Sequence, residues 1–224
     1  MKNKRGSQKF TFLEALFVSI LIFGLGILAG IWLESYRESK IKSLYDSSEI
    51  SLIDIKSTEN FIELVECDKA INELITFANK IYEEAQILER YEGASRLTEN
   101  LIVAHKRYDL LRASLFFSAI KTKVRCNSTY NVITYFYDYI ETPMKKKSKQ
   151  NVFSKYLFEL KKSKPEEEII LIPIAGDNNL RSVEIIMEKY NITQLPTILV
   201  NENVIITELE DLDNIKIILN KSGN

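Results

Sequence analysis

The sequence predicts a C-terminal α/β domain of order βαβαββα, preceded by an N-terminal transmembrane helix and a long antiparallel helical hairpin. Three observations support this prediction: an apolar run near the N-terminus, two stripes of apolar residues at helical spacing, and alternating strand and helix patterns towards the C-terminus. The predicted segments are a cytoplasmic tail (1–11), the transmembrane helix (12–34), a juxtamembrane segment (35–57), the hairpin (58–125) and the α/β domain (126–224).

The composition excludes several classes of function. The formal net charge is −1 over 224 residues, with both signs mixed along the chain, so no basic surface for nucleic acid is predicted. The single histidine, His105, leaves little room for a histidine metal site or a Ser-His-Asp triad. We expect His105 to be a solvated helix residue, and we expect neither a metal nor a cofactor.

The apolar run extends from Ala15 to Leu33 and contains no charged residue. As a helix it would be about 28 Å long, close to the thickness of a bilayer's hydrocarbon core. Trp32 and Tyr36 lie at its end, where aromatic rings favour the headgroup layer. The run is longer than the apolar core of a signal peptide and no A-x-A site follows, so we favour an uncleaved signal anchor over a cleaved signal.

The basic residues beside this run predict its orientation. Four of them precede it without an interrupting acid, whereas the basic residues after it are interleaved with glutamates. The positive-inside rule then places the N-terminus in the cytoplasm and the C-terminal domain outside the cell membrane. Gly26 and Gly30 form a G-x-x-x-G spacing, so a homodimer through the span is an alternative to a monomer.

Two helical stripes predict the hairpin. Ser57 and Thr58 are the expected N-cap residues of its first helix, and Gly93 is expected to end that helix. The stripes alternate spacings of three and four, and their members are Leu64, Cys67, Ile71, Leu74, Ala78, Ile81, Ala85 and Leu88, then Leu97, Leu101, Ala104, Tyr108, Leu111 and Leu115. Because the connection is short, we favour an intramolecular hairpin; a coiled coil joining two chains is the alternative.

The apolar period changes after residue 130. Strands are predicted at 131–137, 168–174, 197–201 and 204–207, and helices at 152–160, 182–190 and 211–220. Short strand–helix alternation implies parallel right-handed crossovers, finished here by an antiparallel edge. The lysine-rich run from Lys145 to Lys149 is expected to be a solvated helix start, and a membrane-facing basic patch is the alternative.

The stretch Tyr190-x-Ile192-x-x-Leu195-Pro196-Thr197 precedes an unbroken apolar run, as expected of a buried central strand opened by proline. This pattern resembles the cis-proline segment of the thioredoxin superfamily, and with the element order the resemblance covers roughly residues 127 to 224. It implies a cis Leu195–Pro196 bond and a peptide-binding groove at Leu195, Pro196 and Thr197.

The same resemblance implies a Cys-x-x-Cys after the first strand, and this chain departs from that pattern. The corresponding positions are Glu141, Thr142, Pro143 and Met144, which contain no thiol. Dithiol exchange at this degenerate redox site is therefore excluded.

Cys67 and Cys126 are the chain's two cysteines. In an antiparallel hairpin, Cys67 faces residues near Ile120, and a chain that turns back after Lys123 brings the two sulfurs within bonding range. A disulfide is expected if this part of the chain is outside the cytoplasm; otherwise both cysteines stay reduced.

The function predicted from the sequence is that of a binding module. A single-pass membrane protein would present a redox-inactive thioredoxin-like domain to a protein or peptide partner at the membrane surface. The alternatives are a thiol-disulfide oxidoreductase that uses Cys67 and Cys126, and a structural spacer that forms oligomers through the hairpin.

Overall fold

A computed structural model describes residues 8–62, 65–92, 99–140, 142–163 and 169–222. The elements are α1 (Gln8–Ile62), α2 (Cys67–Glu92), α3 (Glu99–Cys126), β1 (Asn131–Tyr137), α4 (Met144–Ser163), β2 (Ile169–Ala175), α5 (Arg181–Lys189), β3 (Thr197–Val200), β4 (Val204–Ile206), a 3-10 turn (Leu209–Asp211) and α6 (Leu212–Ser222). Leu64, Gly93, Leu97 and Glu141, which carried sequence predictions, lie outside the described residues.

Helix α1 is one continuous helix of 55 residues. The segment Phe10–Ser47 is the one candidate membrane span among the described residues, by length and composition. The juxtamembrane segment predicted at 35–57 is part of the same helix, because α1 continues through it. Ser57 and Thr58 lie inside α1 and therefore do not begin a new helix.

The part of α1 around Ile41 and Tyr45 packs into the protein. Ile41 and Tyr45 are 0% and 4% exposed, whereas the apolar side chains of the preceding run are exposed. Their burial has a physical reason: both residues join the hydrophobic core formed by α2, α3 and one face of the sheet. The candidate membrane helix is therefore continuous with the core of the domain.

Helices α2 and α3 form the hairpin, which begins at Cys67 rather than at residue 58. Its apolar stripes are covered within the chain: Leu74, Ala78 and Ile81 of α2 are buried, as are Tyr108 and Leu115 of α3. They pack against each other, against α1 and against the sheet, in one shared hydrophobic core.

The four strands form a mixed sheet in the order β2-β1-β3-β4. Strands β1 and β2 are parallel, whereas β3 is antiparallel to both β1 and β4. The sequence prediction of parallel crossovers holds for β1-α4-β2 only. The segment from α5 to β3 returns the chain antiparallel to β1, and Asn201–Asn203 then turns it into β4.

The two faces of the sheet are buried against different helices. Helices α4 and α6 cover one face, where Phe153, Leu157 and Ile215 meet the sheet residues Ile133 and Ile198. Helix α5 and the hairpin cover the other face. Because both faces are covered, β3 is buried at all four positions, as its unbroken apolar run predicts.

Candidate functional site

The proline segment and the degenerate redox positions that the sequence singled out lie at one edge of the sheet. The register pairs Phe136 with Thr197 and Tyr137 with Ala175, so β1 and β2 end where β3 begins. The loop after β1 leads from this edge into α4, which starts at Met144. We call Leu195–Thr197 together with Thr142–Met144 the cis-proline edge.

The segment before β3 is built into the core. The Leu195–Pro196 peptide bond is cis. Pro196 and Thr197 are buried, and the Thr197 hydroxyl donates to the Gln194 carbonyl at 2.6 Å. A Cβ added to Gly176 would lie 2.9 Å from Leu195 Cδ1, so the Leu195 side chain packs closely against the Gly176 backbone. Gln194 itself stays exposed and marks the accessible side of this segment.

The other half of the edge presents no thiol among the described residues. Met144 is 86% exposed at the start of α4. The Thr142 hydroxyl donates to the Asp138 carbonyl at 3.0 Å, and the Pro143 carbonyl accepts from the Lys147 amide at 2.9 Å. This half of the edge is therefore the start of α4, with the apolar side chain of Met144 exposed at its end.

Cys67 and Cys126 form a disulfide, with their Cα atoms 5.5 Å apart. It joins the start of α2 to the end of α3, close to where β1 begins. Since the cis-proline edge lies where β1 ends, the two sulfurs are at the opposite edge of the sheet.

A buried polar network lies behind the cis-proline edge, and sequence reasoning missed it. His105, Asp109 and Arg112 lie on one face of α3 and are at most 3% exposed. The expectation that His105 is solvated is therefore wrong. The Asp109 carboxylate contacts Arg112 Nη1 at 3.1 Å and His105 Nε2 at 3.4 Å. The available signal was the spacing of three polar residues directly beside the apolar stripe of α3.

This network fastens α3 to the carboxyl ends of two strands. Arg112 Nη1 donates to the Tyr137 hydroxyl at 3.1 Å at the end of β1. At the end of β2, the Ala175 amide and the Asn178 side-chain amide donate to Asp109. The carboxylate therefore pairs with one charged group and caps a strand end, which offsets the cost of burying it.

The charge of Arg112 is stabilised where it lies. Burial disfavours the charged guanidinium and lowers its pKa. The interactions with Tyr137, Tyr108 and Asp109 are larger in sum and hold the pKa of Arg112 above its ordinary value. The guanidinium also lies 4.0 Å from the centre of the Tyr108 ring. Arg112 is thus a permanently charged group inside the core, and it depends on these partners.

The loop after β1 is held by the same region. Asp177 accepts hydrogen bonds from the backbone amides of Tyr139 and Ile140, at 2.8 and 2.7 Å. The Tyr139 ring stacks on His105 with 3.5 Å between ring centres. The start of this loop, through Ile140, is therefore held in place by Asp177 and His105.

The described residues contain no group of three or more His, Cys, Asp or Glu placed to hold a metal. No protein-family model, no curated protein and no solved structure matches the chain. The fold and the site therefore carry the functional argument alone.

Proposed function

We propose that this chain is a single-pass membrane protein whose extracytoplasmic, redox-inactive thioredoxin-like domain binds a protein or peptide partner at the cis-proline edge. The observation that carries the proposal is the meeting of two features at one sheet edge. These are the cis Leu195–Pro196 segment and a helix start beside which the chain carries Glu141 and Met144 at the two positions that the resemblance assigns to thiols.

The strand arrangement supports the thioredoxin-like interpretation. The order β2-β1-β3-β4, with β3 antiparallel, places α4 and α6 on one face and α5 on the other. A proline in the cis form directly precedes β3. The element order and the cis bond are the features that the resemblance implies for the domain.

The disulfide and α1 support the location. The exposed apolar run of α1 would be solvated at a high cost in water, and it matches the bilayer in length. The bond between Cys67 and Cys126 persists in an oxidising compartment and is reduced in most cytosols. Both features support an exported domain that follows an uncleaved transmembrane anchor in the chain.

The cis-proline edge lacks thiols, but peptide binding does not require them. Backbone and apolar groups beside a cis proline can take an extended peptide without any thiol. The alternative of a dithiol enzyme would place its chemistry at the far edge, where Cys67 and Cys126 are already bonded to each other. The alternative of an oligomeric spacer would need the hairpin stripes, which are covered within the chain.

Site-specific photo-crosslinking in cells tests the proposal. A photoreactive residue at the exposed Gln194 should give an adduct with a partner, whereas one at the exposed Asn203, in the turn at the far edge, should not. The partner identified from that adduct should bind the purified chain and lose affinity for a Thr193→Glu variant. Equal adducts from both positions, or none from Gln194, would contradict it.

A further inference from the structure

The domain has a defined direction relative to the candidate membrane helix. Tyr45 of α1 contacts His105 of α3. Twenty residues further along each segment, Arg125 donates to the Val65 carbonyl at 3.3 Å. Helices α1 and α3 therefore run the same way, and both lead away from the apolar run.

Strand β1 runs in the opposite direction. Near its start, the Tyr130 hydroxyl donates to the Ala119 carbonyl at 2.6 Å, close to the C-terminal end of α3. At its end, the Tyr137 hydroxyl lies 3.0 Å from His105 Nε2, in the first half of α3. The carboxyl ends of β1 and β2 therefore point back along α1 towards the apolar run.

Helix α4 extends beyond this edge. Gln150 exchanges hydrogen bonds with the backbone of Asp138 at 3.0 and 3.1 Å, and Lys161 donates to the Ile169 carbonyl where β2 begins. The helix is therefore antiparallel to β1. Because Met144 precedes Gln150 by six residues, the first turn projects about 9 Å past Asp138 on the side of the apolar run.

The distance to the bilayer is short. Tyr45 follows Leu33, the last residue of the apolar run, by twelve residues, or about 18 Å along the helix. After the projection of α4 is subtracted, about 9 Å remains between Met144 and the end of the hydrocarbon core. The headgroup layer is roughly 6 Å deep, so the remaining gap is within one Debye length.

The tip of α4 has the chemistry of a surface that binds anionic headgroups. Met144 is 86% exposed. Lys145 and Lys147 are exposed and form no ion pair with the described residues, whereas Lys146 and Lys149 pair with Asp138 and Glu208. Two ammonium groups without an ion pair among the described residues and an exposed apolar side chain therefore lie at the end of α4 that projects towards the apolar run.

We infer that the first turn of α4 docks on anionic lipid headgroups of the same bilayer that holds α1. This rests on the proposed membrane anchor, but not on the proposed partner. Docking fixes the cis-proline edge beside the membrane surface, so the partner it meets there is the membrane-proximal part of another chain. Each free lysine raises the equilibrium constant for docking roughly fivefold.

The test uses the full chain in lipid nanodiscs, with a fluorophore at Ser148→Cys and a nitroxide on the lipid headgroups. The native cysteines are bonded to each other and stay unlabelled. Quenching should be stronger with phosphatidylglycerol present than with phosphatidylcholine alone, and high salt should reduce it. A fluorophore at Asn203→Cys, at the far edge, should be quenched little in either lipid.

The matched variants use two lysines on each half of α4. Lys145→Gln with Lys147→Gln should remove the lipid dependence, whereas Lys155→Gln with Lys162→Gln, nearer the other end, should keep it. Quenching that is the same with and without phosphatidylglycerol, or a lipid dependence that is lost equally in both double variants, would contradict the docking. Loss of the chain from the discs would instead contradict the membrane anchor itself.

Discussion

The Tyr45 hydroxyl lies 2.8 Å from Nδ1 of His105, and this buried hydrogen bond joins helix α1 to the hairpin across 60 residues of sequence. The same imidazole reaches the Tyr137 hydroxyl through Nε2, at 3.0 Å. One ring thus connects the continuation of the candidate membrane helix to the end of β1. The domain is therefore fixed to the helix that contains the candidate membrane span rather than tethered to it by a loose linker.

Removing the Tyr45 hydroxyl should weaken this connection. Tyr45→Phe keeps the ring in the core but takes a hydrogen-bond partner from a buried nitrogen, which costs about 1–3 kcal/mol of unfolding free energy. Chemical denaturation in detergent measures that loss. Tyr36→Phe is the control, because Tyr36 is 53% exposed and should be neutral. An unchanged midpoint for Tyr45→Phe would contradict the role of the bond.

Asp109→Asn should be the most damaging substitution in the buried network. It leaves Arg112 charged and 2% exposed without its carboxylate, and breaking a buried ion pair costs about 3–5 kcal/mol. Adding Arg112→Met should recover much of that loss, because the unpaired charge is then gone. Denaturant titration of both single variants and the double variant measures the coupling.

A surface pair serves as the control for that cycle. Glu188→Gln weakens the exposed pair with Arg181 and should leave the denaturation midpoint nearly unchanged. Additive effects of Asp109→Asn and Arg112→Met would show that the two buried groups act independently, against this account.

The disulfide should stabilise the fold without taking part in partner binding. It closes a loop of 59 residues, so Cys67→Ser with Cys126→Ser should lower the unfolding free energy by about 4 kcal/mol. Urea titration measures the change. The Gln194 adduct should persist in this variant, since the sulfurs lie at the far edge. Loss of the adduct in a variant that remains folded would favour the dithiol alternative.

Tyr130 should make stability fall at alkaline pH. Burial raises the pKa of its phenol above the ordinary value of about 10, so the folded state holds the proton more tightly than the unfolded chain. The stability that Tyr130 contributes is complete below about pH 10. It is lost as the pH rises from there towards the raised pKa of the folded state. Tyr130→Phe should flatten the alkaline limb of a plot of stability against pH. An equally steep limb in Tyr130→Phe would assign the loss to other groups.

Local patterns were sufficient to predict several parts of the structure. The unbroken apolar run after Pro196 predicts β3 as a buried strand, and the structure has it between β1 and β4. Proline at the entry to a strand, in a motif of known geometry, predicts the cis bond that is present. The disulfide expected between Cys67 and Cys126 is present, but α3 continues to Cys126 and does not turn back after Lys123 as the prediction from the sequence required.

Tertiary packing decided the parts that sequence patterns missed. Residues beyond Leu33 have no regular apolar stripe, yet α1 continues because Ile41 and Tyr45 have a core to enter. His105 is polar and was expected in solvent, but two of its partners, Tyr45 and Tyr137, come from α1 and β1, which no local window contains. The antiparallel direction of β3 likewise depends on the path of the chain after α5.

The central claim is that a bilayer-anchored helix holds a disulfide-bonded domain outside the cytoplasm. Thiol labelling of intact cells with a membrane-permeant maleimide tests it most directly. The account predicts that Cys67 and Cys126 stay unlabelled until a membrane-impermeant reductant is added to cells whose outer envelope is opened, and that both then react. Labelling of both residues without reductant would contradict the disulfide and the exported location together.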